Sequence, residues 1–463
     1  MTAATVERTG RAALAAVVLL GLAATLALAV SAPPALVLAV PAVLVAGAVG
    51  LATLGRPSSG LAATLVLSVG LLGYGEKSSL GSLVFAAYFL AFLVLWFGGR
   101  LLSGEPVVRS RTDAVMVLFV FGGLAGGTVL GVVMGADPTM LLGEVRSFVM
   151  LVLYFPIREA VRSERNGPLT VVACLTAIGL ASAAWNGYTL WSTFNNASEL
   201  WQIIDVRTAY GEATLAVSFL LSVGLLASVR ERRAQLGVAV VVSVLFVGLV
   251  LTKSRGYWVA ALLGGAVMVV LLPRAERVRV SKLGAGVLVG VAVLGTVFLG
   301  QYLQLLVTGI AKRFLTLGSA ATGDVSLINR FFETAAAWAL IQQNPVAGYG
   351  FGVPFSRYDI IEKGTVDWSF IHNGYVGMWY KLGLWGLVLM LTAWISCAVL
   401  AAQAARSTAL RTSDRIVAAA SAGALLTLAI AVVTSNPFLL ADQTLVVTVV
   451  LGLASGLGQR ARA

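Results

Sequence analysis

The chain is 463 residues long with a formal net charge of +12, and hydrophobic residues make up 59% of it. Only 11% of its residues are charged, whereas about 25% are charged in an average soluble domain. Apolar runs of roughly twenty residues recur along the chain, and each is long enough to cross about 30 Å of hydrocarbon. These properties exclude a soluble globular protein. They predict an all-α polytopic membrane protein, since no alternating pattern of barrel strands is present.

We predict a single integral membrane domain over residues 1–463, with about 12–14 transmembrane helices and a first helix that is retained rather than cleaved. The predicted spans are about 12–31, 35–54, 60–75, 80–97, 114–134, 139–157, 168–188, 209–228, 235–252, 256–272, 283–303, 373–400, 415–434 and 438–457.

The basic residues are distributed unevenly between the two sides of this bundle. With the N-terminus in the cytoplasm, most of the 32 Lys and Arg residues fall in inside loops, as the positive-inside rule requires. Topology therefore explains the net charge, and no nucleic-acid partner is expected. The exceptions need a cavity or a partner: Lys77, Arg146, Arg207, Lys253, Arg255, Lys312, Arg313, Arg330, Arg357, Lys363 and Lys381.

Two long segments are predicted to lie outside. The first, at about 187–208, is rich in the aromatic residues that favour the membrane interface. The second is the loop at 304–371, in which residues 327–342 are expected to form an interfacial or packed helix. Its predicted apolar face consists of Leu327, Phe331, Ala335, Trp338 and Ile341.

Three arginines are predicted at the outside boundary. Arg255 lies with Lys253 in a very tight turn between two spans, Arg207 precedes another span, and Arg330 begins the interfacial helix. Guanidinium groups bind phosphate oxygens in a bidentate manner, so such a cluster favours a phosphate or diphosphate ligand. The alternative for Lys253 and Arg255 is a pair that snorkels at a helix end. Arg146, within a span, either completes the cluster or pairs with a carboxylate.

His372 is the only histidine of the chain and is followed by Asn373 at the start of a predicted span. Imidazole exchanges a proton near neutral pH, which suits a general base acting on a hydroxyl. A lone histidine at this position is also typical of an interfacial or packing residue. One histidine with two cysteines inside apolar runs, Cys174 and Cys397, builds no metal site, and no cofactor is expected.

A glycine-rich loop, Gly348–Gly352 (GYGFG), precedes this histidine. It follows a predicted helix rather than a strand, and no Gly-Lys-Ser/Thr comes after it, so it is not a nucleotide-binding loop. Its glycines permit either a tight chain reversal or a close backbone approach to a ligand.

These motifs resemble the O-antigen ligase and O-antigen polymerase superfamily over about residues 205–390. The matching pieces are Arg207 with Gly211, TKSRG around Arg255, Arg330, Trp338, Pro345, Gly348-Tyr-Gly350-Phe-Gly352, His372-Asn373-Gly-Tyr375 and Gly383-Leu-Trp-Gly386. Lys381 stands where the family often has an acidic residue, and fourteen spans exceed the twelve common among the ligases.

The resemblance implies a metal-independent glycosyltransferase without a cofactor. It would move a glycan from an undecaprenyl-diphosphate-type lipid carrier to a hydroxyl of a glycan, lipid or protein. The site would face the extracytoplasmic or periplasmic side of the inner (plasma) membrane. We expect His372, as general base, and Arg255 to be catalytic. The expected substrate-binding residues are Arg207, Arg330, Arg146, Asn373, Tyr375, Lys253 and Arg357.

Three alternatives stay open at this point. Ligase and polymerase differ in the acceptor, which the sequence does not identify. A transporter or flippase of lipid-linked sugars would also have many helices, with charged residues near the membrane midplane. A peptidoglycan-polymerase-like glycosyltransferase would act through an outside aspartate, for which Asp324 and Asp367 are candidates.

Overall fold

The computed structural model describes residues 57–68, 80–196, 211–287, 289–291, 308, 325–360 and 362–463. The chain divides into two compact units, Met1–Val107 and Val108–Ala463. The described helices of the first unit are α1 (Pro57–Leu67) and α2 (Leu80–Ser103). Near the end of α2, Arg100 pairs with Glu105 at 2.9 Å, so the helix ends in a charged loop.

The described part of the second unit consists mainly of apolar helices. They are α3 (Arg111–Val133), α4 (Pro138–Ser163), α5 (Gly167–Asn196), α6 (Glu212–Ser228), α7 (Arg232–Leu251), α8 (Arg255–Leu271), α9 (Val325–Gln343), α10 (Gly374–Arg406), α11 (Thr412–Ala431) and α12 (Ala441–Arg460). A π-helical turn interrupts α3 at Leu118–Gly122, and a 3-10 turn interrupts α4 at Val149–Leu153.

Eight helices in the described ranges are long and apolar enough to cross a membrane, and α6 and α8 are shorter apolar helices. The predicted all-α polytopic membrane fold is thereby confirmed. Most predicted spans after residue 79 coincide with these helices, although α5 continues eight residues beyond its predicted end at 188. The spans at 12–31 and 35–54, and most of 283–303, lie outside the described residues.

One end of the second unit gathers the basic segments that the sequence places inside, and we call it the Arg158 end. Arg158 of α4 and Asp113 of α3 form an ion pair of 3.1 Å with both side chains fully buried. Asp113 also accepts a hydrogen bond from the Tyr154 hydroxyl at 2.9 Å. Asp414, at the start of α11, pairs with Arg460 at 3.3 Å. Arg158 is therefore a buried, paired cation rather than the solvated loop residue that the sequence suggests.

At the opposite end of the same helices, which we call the His372 end, the chain forms a short antiparallel hairpin. Strand β1 (Phe355–Asp359) pairs with β2 (Gly364–Trp368), with Phe355 opposite Trp368 and Asp359 opposite Gly364. The turn between the strands contains Lys363 with φ of 54°. The hairpin separates the glycine-rich loop from the segment that carries His372.

Helix α9 packs on the protein through a face that shares only Ile341 with the predicted apolar face. Its buried residues are Asn329, Glu333, Ala337 and Ile341, a stripe with four-residue spacing. Of the predicted face, Phe331 is 59% exposed and Trp338 is 41% exposed, whereas Ile341 is buried. The prediction selected an apolar face, but the first half of the face that packs is polar.

The glycine-rich loop packs into the helices at this end. The Gly350 amide donates to the Lys381 carbonyl at 2.8 Å, and α10 is broken two residues later by Gly383, whose φ is 68°. A Cβ at Gly350 would collide with the backbone nitrogen of Gly131, and one at Gly383 would collide with the Val346 carbonyl. The glycines of the loop therefore serve a close approach of backbone to helices.

Candidate active site

A turn after α11, Val432–Asn436, contacts Arg330 and the TKSRG segment at the His372 end. The Thr434 carbonyl accepts a hydrogen bond of 2.7 Å from Nη1 of Arg330. The TKSRG segment reaches the same residue, because a Cβ on Gly256 would lie 3.0 Å from Thr434 Oγ1. Arg330 and the residue after Arg255, 74 positions apart in sequence, therefore both contact Thr434.

The same turn holds the segment that carries His372. The Asn436 side chain donates to the Ile371 carbonyl at 2.9 Å, and the Gly374 amide donates to the Val432 carbonyl at 2.8 Å. His372 lies between these two attachment points. The turn at 432–436 therefore brings the predicted arginine and histidine motifs to one end of the bundle.

The tight turn between α7 and α8 carries Lys253 and Arg255 at this end. Lys253 has a left-handed φ of 51° and is 3% exposed, whereas a snorkelling lysine keeps its ammonium in water. Arg255 is partly exposed at the start of α8. Lys253 is therefore a buried cation, and the snorkelling alternative is wrong for it.

Tyr257 extends this polar cluster into the bundle. Its hydroxyl donates to Oε1 of Gln443 at 3.4 Å, which also accepts from Ser435 Oγ at 3.2 Å. The first turns of α8 and α12 therefore meet at the 432–436 turn.

His372 is held by Glu333, a residue of α9 that the sequence did not single out. Nδ1 of His372 lies 3.0 Å from Oε2 and 3.2 Å from Oε1 of Glu333. The backbone amide of His372 also donates to Oε1. The Glu333 side chain is 1% exposed and that of His372 is 37% exposed, so the imidazole is reachable while its partner is buried.

Arg357 of β1 reaches the same carboxylate. Its Nη2 lies 3.2 Å from Oδ2 of Asp359 and 3.8 Å from Oε2 of Glu333. Asn329, one turn before Glu333 on α9, donates to Oδ2 of Asp359 at 2.9 Å. Nε and Nη1 of Arg357 are buried and have no hydrogen-bond acceptor among the described residues. The structure thus brings Arg357 to the carboxylate that holds His372.

Asn373 and Tyr375 form hydrogen bonds within the protein. Asn373 caps α10, because its side chain accepts from the amides of Tyr375 at 3.1 Å and Val376 at 3.2 Å. The Tyr375 hydroxyl donates to the Ala429 carbonyl at 2.8 Å. Both interactions fix the start of α10, directly after His372. As substrate contacts, the two residues stay predictions.

Arg146 lies apart from these contacts. It is exposed on α4 and pairs with no carboxylate in the ranges that the structure describes. Glu144, its nearest acidic neighbour in sequence, pairs instead with Lys381 at 2.9 Å and accepts from the Gly352 amide at 2.8 Å. The partner that the sequence did not name for Lys381 is therefore Glu144. Arg207 lies outside the described residues.

Glu333 and the 432–436 turn are the features of the candidate site that sequence reasoning missed. Within residues 327–342, Glu333 is the only acidic residue, and a lone carboxylate in an otherwise apolar helix is a signal of a specific partner. The sequence TSNP at 434–437, between two apolar runs, is a polar turn signal. Neither signal identifies the partner, because each contact joins residues far apart in the chain.

Residues 238–391 match the family model described as O-antigen ligase. The resemblance to the O-antigen ligase superfamily is confirmed. The matching region contains Arg255, Arg330, Glu333, Arg357 and His372, and covers about a third of the chain. No curated protein matches the sequence. The O-antigen ligase match and the apolar helices together support a multi-pass membrane glycosyltransferase of this general type.

Proposed function

We propose that the chain transfers a glycan from a polyprenyl-diphosphate carrier, such as undecaprenyl diphosphate, to an acceptor hydroxyl. The proposal assigns the reaction to the His372 end and orients that end toward the extracytoplasmic face of the inner (plasma) membrane. The observation that carries it is the 432–436 turn, which holds Arg330, the TKSRG segment and the segment of His372 together. The basic residues at the Arg158 end agree with a cytoplasmic orientation of that end.

The cationic residues of the site bind the diphosphate of the donor. Arg330 donates to the Thr434 carbonyl, and Arg255 precedes Gly256, which lies against the Thr434 side chain. Lys253 is buried in the same turn as Arg255. The proposal assigns Arg207, which precedes α6, to the same group. Guanidinium donors stabilise the negative charge that develops on the leaving diphosphate, an electrostatic contribution of about 3–4 kcal/mol for one well-placed donor.

His372 acts as the general base. It takes the proton of the acceptor hydroxyl while the hydroxyl oxygen forms a bond to C1 of the donor sugar and the bond from C1 to the diphosphate oxygen breaks. Attack from the side opposite the diphosphate inverts the configuration at C1. General-base catalysis contributes about 10²–10⁴-fold to the rate. Arg357 adds a permanent positive charge 3.8 Å from the Glu333 carboxylate that holds His372.

The location of charge favours an enzyme over a transporter. In the described helices of the second unit, charged residues lie within about two turns of a helix end, whereas a transporter is expected to carry them near the midplane. For the alternative that acts through an aspartate, Asp367 is used within the hairpin, where it accepts from Ser356 Oγ. Asp324 lies outside the described residues.

The test is product formation by purified protein in liposomes that contain a labelled glycan on undecaprenyl diphosphate. We expect release of undecaprenyl diphosphate together with label on a hydroxyl-bearing acceptor. The identity of the labelled product shows whether the acceptor is a second lipid-linked glycan, as for a polymerase, or a different molecule, as for a ligase. Arg255→Lys is expected to lower the rate at least tenfold, because lysine cannot bind phosphate in a bidentate manner. Arg274→Lys, at an exposed position beyond the other end of α8, is the control. Label transport without carrier release would contradict the proposal.

A further inference from the structure

The two ring nitrogens of His372 are in different environments. Nδ1 faces both carboxylate oxygens of Glu333, at 3.0 and 3.2 Å, and Nε2 makes no hydrogen bond with a described residue. The edge of the Phe370 ring lies against the imidazole, with 5.0 Å between ring centroids. Glu333 also accepts from the His372 backbone amide, so the carboxylate fixes the backbone and the ring of the same residue.

The chemistry of a carboxylate decides which nitrogen carries the proton. An ionised carboxylate only accepts hydrogen bonds. Nδ1 of a neutral His372 must therefore be the protonated nitrogen, which leaves the lone pair on Nε2. This is the tautomer that a general base needs when the substrate approaches from the exposed side.

The charge of Glu333 is itself compensated. Nη2 of Arg357 lies 3.8 Å away and pairs with Asp359, whose carboxylate accepts a hydrogen bond from Asn329. A buried carboxylate without a cation would be costly to keep ionised. Arg357 therefore stabilises the anionic form of Glu333, and its guanidinium group approaches the carboxylate oxygen that also lies 3.0 Å from the imidazole.

We propose that Glu333 is the positioning residue of His372, which holds the imidazole with Nδ1 protonated and Nε2 directed at the acceptor hydroxyl. This inference rests on the proposed function. When Nε2 takes the hydroxyl proton, the oxygen bonds to C1 and the diphosphate departs, so the imidazolium is formed beside an anion. The proton on Nε2 then leaves to solvent, and the neutral Nδ1-protonated ring is restored.

Because His372 is the only histidine, its tautomer can be measured without assignment. Protein labelled with ¹⁵N in the histidine ring and reconstituted in lipid gives one pair of ring nitrogen signals. We expect the neutral ring to be protonated at Nδ1 in the wild type, and the Glu333→Gln variant to show both tautomers, since an amide both donates and accepts. Glu362→Gln, at an exposed glutamate beyond β1, should retain the wild-type signals. A wild-type ring protonated at Nε2 would overturn the proposal.

Kinetic measurements on Glu333 variants distinguish a positioning role of this residue from a purely structural one. Glu333→Gln should lower kcat about 10²-fold with the KM for the lipid-linked donor unchanged, while Glu333→Asp should recover part of the loss. In a His372→Ala background, Glu333→Gln should have little further effect, because residues that act as a unit are not additive. Equal losses from Glu333→Gln in both backgrounds would show that Glu333 supports the fold only. An active His372→Ala variant would refute the general base, whereas the tautomer measurement would still report on Glu333.

Discussion

Lys381 of α10 and Glu144 of α4 form an ion pair of 2.9 Å in which both side chains are buried. The second carboxylate oxygen of Glu144 accepts from the Gly352 amide at 2.8 Å. One carboxylate thus ties two helices to the glycine-rich loop, directly before the hairpin that carries Arg357. The ion pair thus fixes the end of the glycine-rich loop, from which the hairpin leads on to His372.

Removal of one partner should destabilise the protein strongly. Lys381→Met leaves the Glu144 carboxylate buried without its cation, which costs about 3–5 kcal/mol, whereas the double variant with Glu144→Gln should recover most of the loss. The measurement is denaturant unfolding in detergent. If Lys381→Met alone unfolded at the wild-type midpoint, the pair would not hold this region together.

A side chain at Gly350 should disrupt the packing of the loop. Gly350→Ala places a Cβ against the backbone of Gly131 and forces alanine to φ of 87°, a conformation that costs about 1–2 kcal/mol even without the collision. Gly143→Ala in α4 is the matched control, because no atom lies within 4 Å of the added Cβ and alanine favours the helix by about 1 kcal/mol. Thermal unfolding of both variants is the measurement, and equal transition temperatures would contradict the close approach.

Arg330 should affect donor binding more than it affects stability. Its guanidinium already donates to the Thr434 carbonyl at 2.7 Å, and the planar group can present further N–H donors to a phosphate at the same time. Arg330→Lys is expected to raise the KM for the lipid-linked donor about tenfold, which corresponds to roughly 1.4 kcal/mol of binding. The control is Arg274→Lys. A KM that does not change would remove Arg330 from the diphosphate site.

A substitution at the Arg158 end should affect stability more than it affects donor binding. Arg158→Leu leaves Asp113 without its cation, which is expected to cost about 3–5 kcal/mol of stability. Since the pair lies at the end of the bundle away from His372, the folded fraction of the variant should retain the wild-type KM for donor and acceptor. Unfolding and transfer kinetics on the same preparation test this separation. A changed KM without lost stability would link this end to the site.

The apolar runs predicted most of the helices in the described ranges because a span of hydrocarbon requires an apolar stretch of fixed length. Arg255 and Arg330 were identified because they are basic residues on the predicted outside, where the positive-inside rule disfavours them. His372 was identified because it is the only histidine. The sequence could not identify Glu333 as the partner of His372, since the two are 39 positions apart. For the same reason, it could not link Glu144 to a loop 208 positions away.

The apolar periodicity of α9 did not identify the face through which the helix packs on the protein. Hydrophobic periodicity identifies a buried face only when that face is apolar, and Asn329 and Glu333 make the packed stripe polar where it meets Asp359 and His372. The hairpin was missed because its strands are only five residues long and contain charged residues. Both failures fall beside the candidate site, where polar contacts replace the apolar pattern.

We propose that the glycan is transferred at the His372 end with His372 as the base. The most direct measurement is the single-turnover rate of labelled glycan transfer by folded His372→Ala protein, saturated with donor and acceptor in liposomes. We expect a rate lower than that of the wild type by about 10²–10⁴-fold, with donor binding retained. Near-normal transfer by this variant would contradict this proposal.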